Sequence, residues 1–193
     1  MTMPLTPAVR IAMVRDILDF AEKFQPGTLA QVLATFPDDA RAALEAGSRM
    51  GWYPIEHDHW VVDGIIAVLG KERAMDCWSA SVLDMVDKPL LRTFISGMLR
   101  VVAEDPARII GLLPKAWPLI YDNFCYLELS GTEPHQVPLA FRALAPVLHE
   151  HPNYFVSWTG VLRGLFEIAR VSGQVALTIS QDKQSAEARC SWA

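Results

Sequence analysis

Between Asn153 and Ala193 the periodicity of the chain switches once, from helical to alternating, and this dictates how its end must fold. Phe155, Val156, Trp158, Val161, Leu162, Leu165, Phe166 and Ala169 recur at helical spacing behind Asn153, a residue suited to an N-cap. Gly173 stands where a helix is commonly closed. Beyond it Val175, Leu177 and Ile179 share one face of a strand. After a turn at Asp182-Lys183-Gln184, Ala186, Ala188, Cys190 and Trp192 share one face of another. The segment is expected to be an apolar helix followed by a β-hairpin. Gly160 and Gly164, one helical turn apart, lack a Cβ and let this helix lie close against the sheet. A dimer contact through the two glycines is the alternative, but that use belongs to membrane helices, so close packing is preferred.

The chain before this segment reads mostly as helices. Thr6 with Pro7 opens the first, whose apolar stripe is Val9, Ala12, Met13, Ile17, Phe20 and Ala21, and Gln25-Pro26-Gly27 ends it. Short helices follow from Thr28 to Thr35 and behind a cap at Asp38 or Asp39. After a break at Gly51-Trp52-Tyr53-Pro54 come helices over Ile55–Leu69, closed by Gly70, and from Glu72 to about Val86. Lys88-Pro89 interrupts, Leu90–Ala103 resumes, and Asp105-Pro106 opens a short helix through Leu113. After Trp117-Pro118 the texture changes. Asn123–Ser130 alternates as a strand does, and Gly131-Thr132-Glu133-Pro134 is turn chemistry. Gln136–Phe141 is a second strand that Pro138 restricts to a sheet edge or a bulge. A short helix near Ala143–Glu150 precedes the C-terminal helix. The expected fold class is therefore α+β. N-terminal helices pack with a C-terminal antiparallel sheet made of two hairpin-like strand pairs separated by a helix. Residues 1–193 form one domain, helical over 1–118 and sheet-containing over 119–193.

With 51% hydrophobic and 20% charged residues, such a chain favours a large core, an apolar pocket or an apolar oligomer face. A net charge of −5 without a basic run disfavours nucleic-acid binding. The three cysteines, Cys77, Cys125 and Cys190, are odd in number and far apart, which suits reduced thiols. Met1-Thr2-Met3-Pro4 does not open a signal peptide, and Arg163, Glu167 and Arg170 interrupt the best apolar run before it reaches a membrane span. A cytoplasmic location is expected.

No nucleotide-binding glycine loop and no nucleophile elbow occur, and no cofactor is implied. No catalytic residue is assigned. The metal candidates are His57-Asp58-His59 and His149-Glu150-His151, because imidazole and carboxylate suit zinc. On a helix start, however, His57 and His59 point about 200° apart, and the second pair precedes Pro152 in an apparent turn. Exposed polar histidines are the plainer reading, and His135 is a further ligand only if the fold delivers it. Cys190 reads as a small buried hydrophobe rather than a nucleophile. The six tryptophans read first as core with satisfied indole N–H groups. The functional alternative is an apolar pocket walled by Trp60, Trp78, Tyr126, Trp158 and Phe166.

Several stretches carry a resemblance: Tyr53-Pro54 followed by Trp60; Leu112-Leu113-Pro114-Lys115 before the strand with Tyr126 and Glu128; and Gly160-Val161-Leu162-x-Gly164-Leu165 with the ending Ala188-Arg189-Cys190-Ser191-Trp192. Together they look like a paralogous family of about two hundred residues expanded in myxobacteria. That family in turn resembles 4-vinyl-reductase-like small-molecule-binding domains, which share an α+β fold with haem–nitric-oxide-binding domains and transport-particle subunits. The resemblance implies a sensory or scaffolding module, often dimeric, with a pocket between helices and sheet. It does not carry haem over, since none of Tyr53, Tyr121, Tyr126 or Tyr154 begins a Tyr-x-Ser-x-Arg motif. The expected function is a non-enzymatic regulatory or sensory domain that binds a small apolar ligand or a partner protein. The alternatives are a self-associating or partner-bound scaffold without ligand, and a metal-dependent hydrolase built on His57, His59, His149 or His151.

Overall fold

The computed structural model describes residues 6–86, 88, 105–131 and 133–193. The chain enters as a short strand β1 (Ala8–Arg10), then α1 (Ile11–Phe24), α2 (Thr28–Leu33), α3 (Asp38–Ala46), β2 (Trp52–Pro54), α4 (Ile55–Leu69) and α5 (Lys71–Val86). After residues 89–104 come α6 (Pro106–Ile110), α7 (Leu113–Ile120), β3 (Tyr121–Asp122), β4 (Tyr126–Leu129) and β5 (Gln136–Arg142). Last come α8 (Val147–Glu150), α9 (Asn153–Ile168), β6 (Gly173–Ile179) and β7 (Ser185–Trp192). The fold class is α+β with antiparallel sheets.

The two strand pairs β4/β5 and β6/β7 join through β5 and β7 into one sheet of order β4-β5-β7-β6. Register places Val137 opposite Cys190, Leu139 opposite Ala188 and Phe141 opposite Ala186. All six are buried, so this face is the sheet's contribution to the core. Helix α9 presents Trp158 to that face, flat on the Phe141 ring at 4.6 Å. On its other side α9 meets α5. A Cβ on Gly160 would stand 2.6 Å from the Met75 carbonyl oxygen and 2.8 Å from the Trp78 Cβ. A Cβ on Gly164 would run into the Ser79 carbonyl oxygen and Val82. The glycine pair thus serves a helix–helix crossing with α5, where the spacing alone suggested the sheet.

Several other expectations are corrected. Strands are not confined to residues after 118: β1 pairs with both β2 and β3, Val9 lying between Tyr53 and Tyr121, so the entry strand ties the start of α4 to the end of α7. The first helix accordingly starts at Ile11, not behind Thr6. Strand β5 is interior, with Pro138 opposite Arg189. The proline is tolerated because its carbonyl, and so its missing N–H, faces Ser130, one residue past the end of β4. Pro152, not Asn153, occupies the N-cap of α9, and Pro37 that of α3. The Asn153 amide is instead spent on Asp63, at 2.7 Å. Gly173 opens β6 and does not close the helix; the reversal uses Arg170 at φ 56. Helix α7, with Pro118 inside it, was not foreseen. The helix expected over 90–103 lies outside the described residues. Among those residues no helix is long and apolar enough to cross a membrane.

Candidate functional site

Tyr154, Phe155 and Trp158 lie on the turn of α9 that passes between the N-terminal helices and the sheet, and the core converges on Trp158. Its ring stacks on Phe141 and takes the edges of Trp117 at 5.4 Å, Phe124 at 5.7 Å and Phe155 at 5.4 Å. Such pairings hold a ring in one orientation. The indole Nε1–H, however, is buried without a hydrogen bond of full geometry. The nearby Tyr121 hydroxyl feels it as a donor but does not satisfy it fully, and buried donors are nearly always paired.

This donor belongs to the wall of a crevice of about 80 Å³ on the helical side of α9, away from the main sheet. Met13, Val14 and Ile17 of α1, Asp58, Val61 and Val62 of α4, and Trp78 and Met85 of α5 form most of its lining. Val9, Ile120, Tyr121, Ser157 and Val161 complete the wall around Trp158. Most of these side chains are buried; half-buried Met13, Ile120, Tyr121 and Val161 mark its mouth among the described residues. The crevice therefore has an apolar body with a few polar groups, the usual constitution of a ligand site.

Asp58 is the polar centre of this wall. Its carboxylate is buried and accepts a hydrogen bond from the Tyr154 hydroxyl at 3.0 Å. Burial pushes Asp58 up to about 7, and the Tyr154 hydrogen bond only partly opposes it. Burial and the Asp58 charge push the Tyr121 and Tyr154 phenols upward, so both stay protonated as donors. Asp16, also buried, is paired with a cation: Arg49 meets its carboxylate at 2.5 Å.

Of the residues expected to wall a pocket, Trp78 and Trp158 line the crevice. Phe166 is buried elsewhere, 6.2 Å from the Trp192 ring. Trp60 is half-buried against His59, and Tyr126 is exposed on β4. Neither H-x-H pair converges. His57 packs against Tyr53 at 5.7 Å, while His59 turns away to stack on His151 at 3.8 Å. His149 points into a separate cleft beside Leu148 and Phe155, and His135 lies against Trp192. Asp63 joins His59 and His151: its Oδ2 lies 3.3 Å and 3.2 Å from their Nδ1 atoms. Burial and the neighbouring His151 lower the His59 pKa. Asp58, Asp63, Tyr121 and Tyr154 were all missed in the sequence. Asp63 alone had a local signal, lying four residues after His59 on one helix face.

No protein-family model matches this chain, and no curated protein matches it. The solved structures that it resembles have the haem–nitric-oxide-binding, or H-NOX, fold. An Fe(II) unliganded H-NOX protein from K. algicida superposes with a TM-score of 0.61 at 11% identity, covering 95% of this chain and 96% of that one. A variant of that protein gives 0.65 at 12% identity, covering 96% of each chain. An oxygen-binding H-NOX domain related to soluble guanylate cyclases gives 0.59 at 6% identity, covering 95% of this chain and 94% of that one. At these identities the likeness is one of fold.

The described residues do not fit a haem. The crevice holds about 80 Å³, where pockets for drug-sized ligands measure roughly 300–1,000 Å³. The space beside it is filled by the packed rings of Trp117, Phe124, Phe141 and Trp158. None of the five histidines or three cysteines lines it, and the stretch 89–104 contains neither type. Where propionates need cations, the described lining offers the Asp58 carboxyl and no lysine or arginine.

Proposed function

We propose that this chain is a sensory, regulatory domain on the H-NOX fold whose ligand is a small, largely apolar molecule held against Trp158. The carrying observation is the Trp158 Nε1–H, buried in the wall of the crevice without a hydrogen bond of full geometry although the Tyr121 hydroxyl is near it. A donor in that position is satisfied by a ligand that brings one acceptor atom, and the rest of the wall asks for apolar surface. A dry cavity of roughly 150 Å³ takes benzene, so about 80 Å³ selects a ligand of only a few heavy atoms. The crevice lies where α1, α4, α5 and α9 meet, so occupancy bears on both the helical half and the helix that carries the sheet. A binding role, rather than a covalent one, is supported by the thiols of Cys77, Cys125 and Cys190, which burial pushes up to about 12.

The test uses the full chain with ¹⁵N-labelled tryptophan, the Trp158 indole signal being assigned by its loss in Trp158→Phe. Small neutral molecules with one acceptor atom, and xenon as an apolar probe, are titrated in. A saturable shift of the Trp158 signal is expected, larger than that of Trp52 or Trp60. No saturable response from any probe would overturn the reading. So would stoichiometric uptake of added haemin with a Soret band.

A further inference from the structure

His59, Asp63 and His151 are drawn together from two distant parts of the chain, and they are residue types that ligate a metal. His59 and Asp63 sit one turn apart on α4. His151 is the residue that ends α8, directly before the Pro152 turn into α9. Their donor atoms all lie within 4.8 Å of one another, and this is the one such group of three among the described residues. A four-coordinate zinc ion with bonds near 2.0–2.1 Å holds neighbouring donors about 3.3 Å apart. The two histidine-to-carboxylate separations are 3.3 Å and 3.2 Å. The carboxylate is also oriented from behind. The Asn153 amide donates to Asp63 Oδ1 at 2.7 Å, which leaves Oδ2 for the histidines, and an outer partner of this kind commonly fixes a metal ligand. In front, His59 and His151 border a cleft of about 410 Å³ that Glu56 and Glu150 also line. A water or a further carboxylate can complete the coordination there.

We propose that His59, His151 and Asp63 bind one divalent transition-metal ion of the zinc class, with an open position toward the Glu56/Glu150 cleft. Two imidazoles and one carboxylate suit zinc and its neighbours and not calcium or magnesium, which take oxygen ligands. The rings now lie nearly parallel, 13° apart. An ion placed between parallel rings is out of both ring planes, so binding turns at least one imidazole. The plainer alternative is a hydrogen-bonded tie between α4 and the start of α9 that needs no metal, and the two make different predictions. The site shares no residue with the crevice, so its failure leaves the ligand reading standing, and the reverse holds.

The experiment takes the full chain, stripped with a chelator, and titrates it with Zn²⁺ by calorimetry and with Co²⁺ by visible absorption. The expected result is one equivalent bound, a Co²⁺ spectrum of four- or five-coordinate intensity, and no competition from excess Mg²⁺. His151→Gln and Asp63→Asn each weaken binding more than tenfold, and Asn153→Ala weakens it about tenfold through the carboxylate it orients. His135→Gln, remote from the cluster, leaves binding unchanged. Circular dichroism of each variant establishes that it is folded, and Asp63→Ala stands in for any that is not. Absence of one-to-one binding in the unaltered chain overturns the proposal. Binding that survives both His151→Gln and Asp63→Asn overturns it equally, since the ion would then sit elsewhere.

Discussion

Asp16 and Asp58 are both buried carboxyls, and the difference between them is a guanidinium. Arg49 meets Asp16 at 2.5 Å, whereas Asp58 has the Tyr154 hydroxyl, a neutral donor. Asp58 is raised to about 7 from an ordinary 3.8. The folded state therefore holds the Asp58 proton to a higher pH than the unfolded state does. Below about pH 4 both states are protonated and the residue costs nothing by this route. As pH rises through the window from about 4 to 7 the unfolded chain ionises first and folding loses stability; above about 7 the loss is complete. Asn keeps the shape and the acceptor for Tyr154 and removes the charge. Asp58→Asn is expected to stabilise the protein at pH 8 by roughly 2–4 kcal/mol, since each tenfold change in proton affinity is worth about 1.4 kcal/mol. That advantage fades toward pH 4. Urea denaturation at pH 4.5, 6 and 8 measures it, and a difference between the two proteins that ignored pH would refute this account.

The crossing of α5 and α9 is set by absent atoms. Ala in place of Gly160 gains about 1 kcal/mol of helix propensity. Its Cβ, however, lands 2.6 Å from the Met75 carbonyl oxygen, a backbone atom that cannot swing aside. Overpacking of this kind costs about 1–3 kcal/mol, so Gly160→Ala is expected to be net destabilising in chemical denaturation. If it stabilised the chain, the helices would not be in such close approach. The same elements show what a single chain discloses. The helix and hairpin of 153–193 could be read because a change of period is a local property. That Gly160 and Gly164 face something close was also local, but which element it is depends on tertiary placement. Pro138 misled for the same reason: its tolerance inside the sheet depends on β4 ending at Leu129. Within the site, Trp78 and Trp158 were visible as large aromatics. Asp58 was seen only as the centre of an H-x-H pair, since burial and the Tyr154 partner, 96 residues away, are invisible in sequence. His59 and His151 were flagged within separate pairs, and only the fold joins them, with Asp63 as the link.

Helices and sheet share one core, and this makes the chain's cooperativity a testable matter. Val9, Ile17, Tyr53 and Ile65 from the helical half belong to the same buried cluster as Phe141, Trp158, Leu162 and Cys190 from the other half. A division near residue 118 would cut β1 from β3 and α5 from α9, exposing the apolar faces of both. Each half then loses part of the shared cluster, and the two are expected to unfold together. At 193 residues the chain is longer than those for which two-state behaviour is the rule, so the outcome is informative. Far-UV circular dichroism weights the helices, most of which precede residue 118. Tryptophan fluorescence reports on tertiary packing around six indoles, Trp117 and Trp158 among them at the junction. In urea the two probes should trace one transition with the same midpoint. A ligand bound in the proposed crevice would touch α1, α4, α5 and α9 together, and would then stabilise the whole unit by RT ln(1 + [L]/Kd) and move both midpoints equally. Two separated transitions, or a ligand that shifted the fluorescence midpoint alone, would show that the junction does not couple the halves and would count against the proposed regulatory role of the crevice.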